Sequence, residues 1–193
     1  MKKIALLLLA ALSVAAFSFT ADAAPKKAKK GKKVVIAMDF NAQALPGIKK
    51  VGKAGMISEG DGETYIYKDA KTEKEYGITL FCNTGGYGLV KMGDGWGLGF
   101  NWNNDSRGNA YIKTPVVEKK ALKRIEFSVL NKFKKYVVVS SGPNGKGDVV
   151  RRTEMTDAEP ATLIIAEPEV GKAYYIWSGD KNIAFANLIL TYE

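Results

Sequence analysis

Gly108 to Leu130, GNAYIKTPVVEKKALKRIEFSVL, decides how the rest of the chain is read. Ile125, Phe127 and Val129 alternate with Arg124, Glu126 and Ser128, so one face is apolar and the other solvated. On a helix the same three apolar side chains would scatter around the axis. Before the corner, Ala110, Ile112 and Thr114 share one face and Tyr111 and Lys113 the other. Pro115 cannot donate to a ladder and marks a strand end. The stretch is expected to form a core hairpin of a β-sandwich. Ahead of it, GDGWGLGFNWNNDSRG (Gly93 to Gly108) reads as a displayed loop carried by that strand pair, the usual construction of a binding module.

Working outward, strand-like runs recur at short intervals: Val34 to Phe40, Glu63 to Lys68, Tyr76 to Cys82, Tyr87 to Met92, Tyr136 to Ser140, Asp148 to Arg152, Thr162 to Ala166, Ala173 to Trp177 and Ile183 to Tyr192. Gly-rich turns punctuate them, among them Gly93-Asp-Gly95 and Ser178-Gly-Asp180. Ala42 to Val51 and Thr156 to Ala161 could supply a helical turn, but Pro46 and Pro160 limit both. The pattern predicts an all-β antiparallel sandwich in one domain, residues 34–193. In the last run Ala184, Ala186, Leu188, Leu190 and Tyr192 share a face. A strand this apolar must be paired inside a sheet, and Val34 to Phe40 is the expected partner.

Met1 to Ala23 has the layout of a secretory signal peptide: Lys2 and Lys3, an apolar Ile4 to Phe17, then Ala21-Asp22-Ala23 at the cleavage position. The apolar run is short for a membrane span, so no transmembrane anchor is expected. The protein should be exported, to the periplasm or exterior of a bacterium. Of the formal charge of +9, the signal carries +1 and the six lysines of residues 24–33 carry +6, leaving +2 for the body. The basic excess therefore sits in a short arm with the composition of a disordered segment, not on a folded surface that would bind nucleic acid. That arm could meet anionic envelope polymers through charge, or simply act as a solvated spacer.

Cys82, the only cysteine, allows no disulfide within the chain, and it alternates with Ile78 and Leu80 as a buried thiol would. The chain holds no histidine, which excludes histidine-based triads and histidine-ligated metals. Neither a P-loop, a dinucleotide fingerprint nor a nucleophile elbow occurs.

The stretches AYIKTPVVEKKALKRIEFSV, KKYVVVSSG and NIAFANLILTYE together resemble the galactose-binding-like jelly-roll domains of many carbohydrate-binding modules. The resemblance covers about half of the body and lies mainly in strand pattern. It implies two packed antiparallel sheets in a jelly roll, ligand held by loops at one end, and often a structural calcium near the chain termini. Asp39 and Glu193 are acids that such a calcium could use.

Candidate contact residues cluster in the Gly93 to Gly108 segment. An indole offers a flat apolar surface to a sugar ring, and amide, carboxylate and guanidinium groups offer hydrogen bonds. Trp96, Trp102, Asn103, Asn104, Asp105 and Arg107 have that chemistry, with Phe100 and Asn101 between them. The alternative is that Phe100 and Trp102 alternate into the core and the asparagines cap turns. In Tyr174 to Trp177, Tyr174 and Ile176 share one face and Tyr175 and Trp177 the other; core packing is the expected role of the run. Glu59-Gly-Asp61-Gly-Glu63 spaces oxygen ligands as calcium prefers, or forms an ordinary acidic turn. Glu118, Glu126, Asp105 and Glu154 could supply a glycosidase's carboxylates but lie in no motif. The first reading is a non-catalytic, monomeric module that binds a polysaccharide or oligosaccharide. The second is a structural or protein-interaction component of the cell envelope, of adhesin or surface-assembly type. An enzyme ranks third.

Overall fold

The structure, a computed structural model, describes residues 32–42, 45–48, 50–51, 63–82, 87–100, 110–130, 135–143, 147–155, 160–178 and 182–193. The predicted signal peptide and all of the lysine arm except Lys32 and Lys33 lie outside them. Residues 31–193 form one compact unit. Thirteen strands and no helix occur among the described residues. They are β1 (Val34–Asp39), β2 (Lys50–Val51), β3 (Glu63–Lys68), β4 (Glu75–Cys82), β5 (Tyr87–Met92), β6 (Gly95–Phe100) and β7 (Ala110–Lys113), followed by β8 (Leu122–Val129), β9 (Lys135–Ser140), β10 (Val149–Met155), β11 (Ala161–Ile164), β12 (Tyr175–Ser178) and β13 (Ile183–Tyr192).

Two sheets pack face to face. One runs β11-β8-β13-β6-β5-β2, with β1 also paired to β13; the other runs β10-β9-β12-β7-β4-β3. All pairings are antiparallel except that of β2 with β5. Between the sheets the first contributes Ile36, Met38, Leu98, Ile125, Phe127, Phe185 and Leu188, and the second Ile78, Leu80, Cys82, Ile112, Val139 and Ile176. The alternation is clean in β1 and β4, where buried residues alternate with half-buried or exposed neighbours, whereas Val138, Ser140 and Trp177 are buried at the opposite parity. Cys82 is buried, on the face shared with Ile78 and Leu80.

The strand that decides the fold is not half of a hairpin. β7 belongs to the second sheet and β8 to the first, so Thr114 to Ala121 is an arch across the sandwich. Alternation reports which residues face the core but not which sheet holds them, so the two strands looked like partners. The arch is tied down rather than loose. Thr114 N–H donates to Tyr174 O and Tyr174 N–H to Thr114 Oγ1, while Tyr192 Oη donates to Pro115 O at 2.7 Å. Ala121 and Glu193 exchange two backbone hydrogen bonds.

β13 is the hub, flanked on one side by β8 and on the other by β6 and then β1. The early strand is its partner as expected: Val34 faces Tyr192 and Asp39 faces Asn187. The face assignment needs one correction. A bulge between Phe185 and Asn187 shifts the register against β8, so Ile183 and Phe185 point into the core before it and Leu188, Leu190 and Tyr192 after it. Asn187 repairs the gap, its Oδ1 accepting from Ser128 N–H and its Nδ2 donating to Ser128 Oγ.

The second correction concerns Gly93 to Gly108. Its first half is not a displayed loop. Gly93 and Asp94 form a two-residue turn, with Gly93 at φ +61°, and Gly95–Phe100 returns as β6 between β5 and β13. Glycine at 97 has a local cause, since a Cβ there would lie 2.8 Å from Phe185 O. The glycines diluted the alternation of Trp96, Leu98 and Phe100 and made a central strand look like a loop.

Tyr192 gives the fold a titration signature. It is 1% exposed, and burial raises its phenol above the ordinary tyrosine range. Below that range the group is neutral in both folded and unfolded states, so it contributes no pH dependence. Above pH about 10 the unfolded chain ionises while the folded one does not, so stability falls as pH rises. The expected slope from this group reaches about 1.4 kcal/mol per pH unit. Tyr192→Phe should flatten the alkaline limb of a stability–pH curve; an unchanged limb would show that the phenol ionises freely in the fold.

Candidate functional site

Alternation leaves β4, β7 and β12 with large aromatics on the side away from the core. Phe81, Tyr111 and Tyr175 are each half-buried there, opposite in parity to Cys82, Ile112 and Ile176. Strand order brings them together. Phe81 and Tyr111 are direct cross-strand partners, and their rings stack with centroids 5.0 Å apart and planes 17° from parallel. Tyr175 meets Tyr111 edge-on at 5.2 Å. The three rings thus form one contiguous cluster on the outer face of the second sheet. Ring pairs of this kind contribute about 0.5–1.5 kcal/mol beyond their area.

Trp177 follows on the same face of β12. It has the parity of Tyr175, and the β7–β12 register carries it across from Tyr111, but it is buried beside Val138. Its Nε1–H donates to Ser140 Oγ at 2.9 Å, and that hydroxyl donates in turn to Gly142 O. An otherwise costly buried indole N–H is thereby satisfied and the ring is fixed.

A polar row runs alongside the aromatic one. Thr64, Thr79, Lys113, Tyr175 and Ser140 face one another in succession across five strands. Thr64 and Thr79 share a hydroxyl hydrogen bond of 3.0 Å. Burial, and secondarily Tyr175, holds the Tyr111 phenol above its ordinary value, so it is a hydrogen-bond donor throughout the neutral range. Apolar ring surface edged by hydroxyls and one ammonium can take a ligand with alternating C–H faces and hydroxyls.

Of the contact residues Trp96, Trp102, Asn103, Asn104, Asp105 and Arg107, Trp96 is the one the structure describes. It lies on β6 with the parity of Leu98 and Phe100, half-buried and packed against the core, and its backbone N–H donates to Asn41 Oδ1. Trp102, Asn103, Asn104, Asp105 and Arg107, with Asn101, lie outside the described residues. Phe100 is a core residue. Within Tyr174 to Trp177 the face pairing is as expected, with Tyr174 and Ile176 in the core; its other face supplies the site.

Sequence reasoning missed Phe81 and Tyr111. Each is a large aromatic at an outward parity, which was the available signal, but their meeting depends on β7 joining β4 to β12.

No group of three or more Cys, Asp and Glu able to hold a metal ion occurs among the described residues. The acidic turn at Glu59 to Glu63 lies outside them except for Glu63, which accepts from Tyr65 Oη. The β1–β13 register sets Asp39 and Glu193 at opposite ends of β1, about 20 Å apart. They cannot ligate one ion. Glu118, exposed in the arch, is 3.4 Å from Lys119, and Glu126 pairs with Arg124. No protein-family model matches the chain, and no curated protein matches it in sequence.

Proposed function

We propose that the protein is an exported, non-catalytic module that binds glycan on the outer face of its second sheet. The observation that carries this reading is the contiguous Phe81–Tyr111–Tyr175 cluster beside the Thr79–Lys113 row. Rings set on a rigid sheet lose little conformational entropy when a ligand docks, and their surface matches the C–H faces of sugars. Export is inferred from the Met1 to Ala23 leader. The order of the last eight strands supports a jelly roll: β6-β13-β8-β11 in one sheet and β7-β12-β9-β10 in the other form two interleaved keys.

The test is a titration of oligosaccharide into wild type and variants. Tyr111→Ala removes the ring in contact with both neighbours and should weaken binding by roughly one to two decades, if stacking on a sugar is similar to base stacking. Its modest exposure keeps the stability cost below that of a core aromatic. Unchanged affinity in Tyr111→Ala and in Phe81→Ala would remove the face from the function.

A further inference from the structure

One end of the sandwich carries a second feature that the aromatic face does not use. A groove of about 480 Å³ opens where the chain enters β1, where β3 turns into β4, and where the arch approaches β8. Each wall contributes lysine: Lys32 and Lys33 from the lead-in, Lys74 from the turn, Lys119 and Lys120 from the arch. Two carboxylates also line it, and both are engaged. Asp69 Oδ1 accepts the backbone N–H groups of Lys71 and Thr72, and Glu118 pairs with Lys119. Lys32, Lys33, Lys74 and Lys120 have no carboxylate at ion-pair distance among the described residues. Tyr76, 9% exposed, also lines the groove.

Two backbone details mark the same place. Glu73 (φ +56°) and Lys119 (φ +58°) are the non-glycine residues in the left-handed region among those described, and they stand in the turn and the arch that wall the groove. A left-handed backbone costs a non-glycine residue free energy that glycine would avoid.

We infer that the groove is an anion subsite that takes the carboxylate or phosphate groups of an acidic glycan. Five ammoniums from three segments line the groove against two carboxylates, one of them paired with Lys119 and the other held by backbone N–H groups, so the balance of charge favours an anion. That the anion belongs to a glycan rests on the reading of the aromatic face. β4 links the two places: Glu75 begins beside the groove and Phe81 lies six residues on, about 20 Å along the strand. Thr79 and Lys113 lie on the outer face between them. One extended oligosaccharide can therefore meet both.

Calorimetric titration of the purified full chain tests this with three oligomers of equal length, a uronate, a phosphorylated hexose and an uncharged hexose, at several salt concentrations. The proteins are wild type, the groove variant Lys74→Gln/Lys119→Gln/Lys120→Gln, an arm variant with Lys26, Lys27, Lys29 and Lys30 changed to Gln, and Tyr111→Ala. The groove variant should lose roughly tenfold or more in affinity for at least one charged oligomer, with a shallower salt dependence and unchanged affinity for the uncharged one. Which charged oligomer responds identifies the anion. Groove-dependent binding of a charged oligomer that survives Tyr111→Ala, with no binding of the uncharged one, would keep the subsite and refute the aromatic face. The inference is overturned if the groove variant binds both charged oligomers as wild type does, if the arm variant alone accounts for the loss, or if no charged oligomer binds. A thermal melt of the groove variant matching wild type excludes misfolding; Lys74 and Lys119 are exposed and Lys120 half-buried, so the substitutions should leave the fold intact.

Discussion

Phe185→Ala should lower the unfolding free energy by about 3–5 kcal/mol. Phe185 is fully buried, and its ring meets Phe127 edge-on with centroids 5.7 Å apart. It pairs with Leu98 of β6 and Val129 of β8, the point where β13 holds both neighbours before its bulge. Truncation there leaves a void bounded by three strands. Each is already committed to its ladder, so little can move in to fill the space. A urea titration should show a lower midpoint at unchanged slope, the mark of lost stability without a change in the denatured state. A loss under about 1 kcal/mol would mean that the bulge is displaced and the ring faces solvent.

Trp177→Ala should cost about 3–5 kcal/mol as well, although the residue lies on the outer face. Only 7% of it is exposed, and removal also strands the hydrogen-bonding chain through Ser140 to Gly142. Ser140→Ala isolates one part of that effect. It keeps the ring but leaves the indole N–H unsatisfied, for a loss of about 1–3 kcal/mol. The two variants distinguish support from contact. Trp177 is buried and hydrogen-bonded, whereas Tyr111 is only half-buried, so Trp177→Ala should act on stability first and Tyr111→Ala on binding. A Trp177→Ala protein as stable as wild type would place the indole in solvent and make it a candidate contact.

Much of this architecture was legible in the residues. Period two was clear wherever one face is solvated, as in β4 with Tyr76, Ile78, Leu80 and Cys82 buried, and in β8 with Ile125, Phe127 and Val129. The pairing of the last strand with the first followed from its apolarity alone. What alternation does not encode is which sheet a strand joins, and that is how the arch at Pro115 came to resemble a hairpin. It also fails where an extra residue resets parity, as at Ala186, and where glycine occupies the outward positions, as in β6. The candidate face depends on the first of these. Phe81, Tyr111 and Tyr175 are far apart in sequence, and only the order β12-β7-β4 assembles them.

The most direct test of the account is a glycan array probed with the full-length protein beside Tyr111→Ala and Phe81→Ala, with fold verified by a thermal melt. The account predicts that wild type is retained on at least one class of oligosaccharide and that both variants lose that signal while remaining folded. Retention of the variants equal to wild type would contradict the site. Failure of wild type to bind any glycan would contradict the function and leave the envelope-interaction reading in its place.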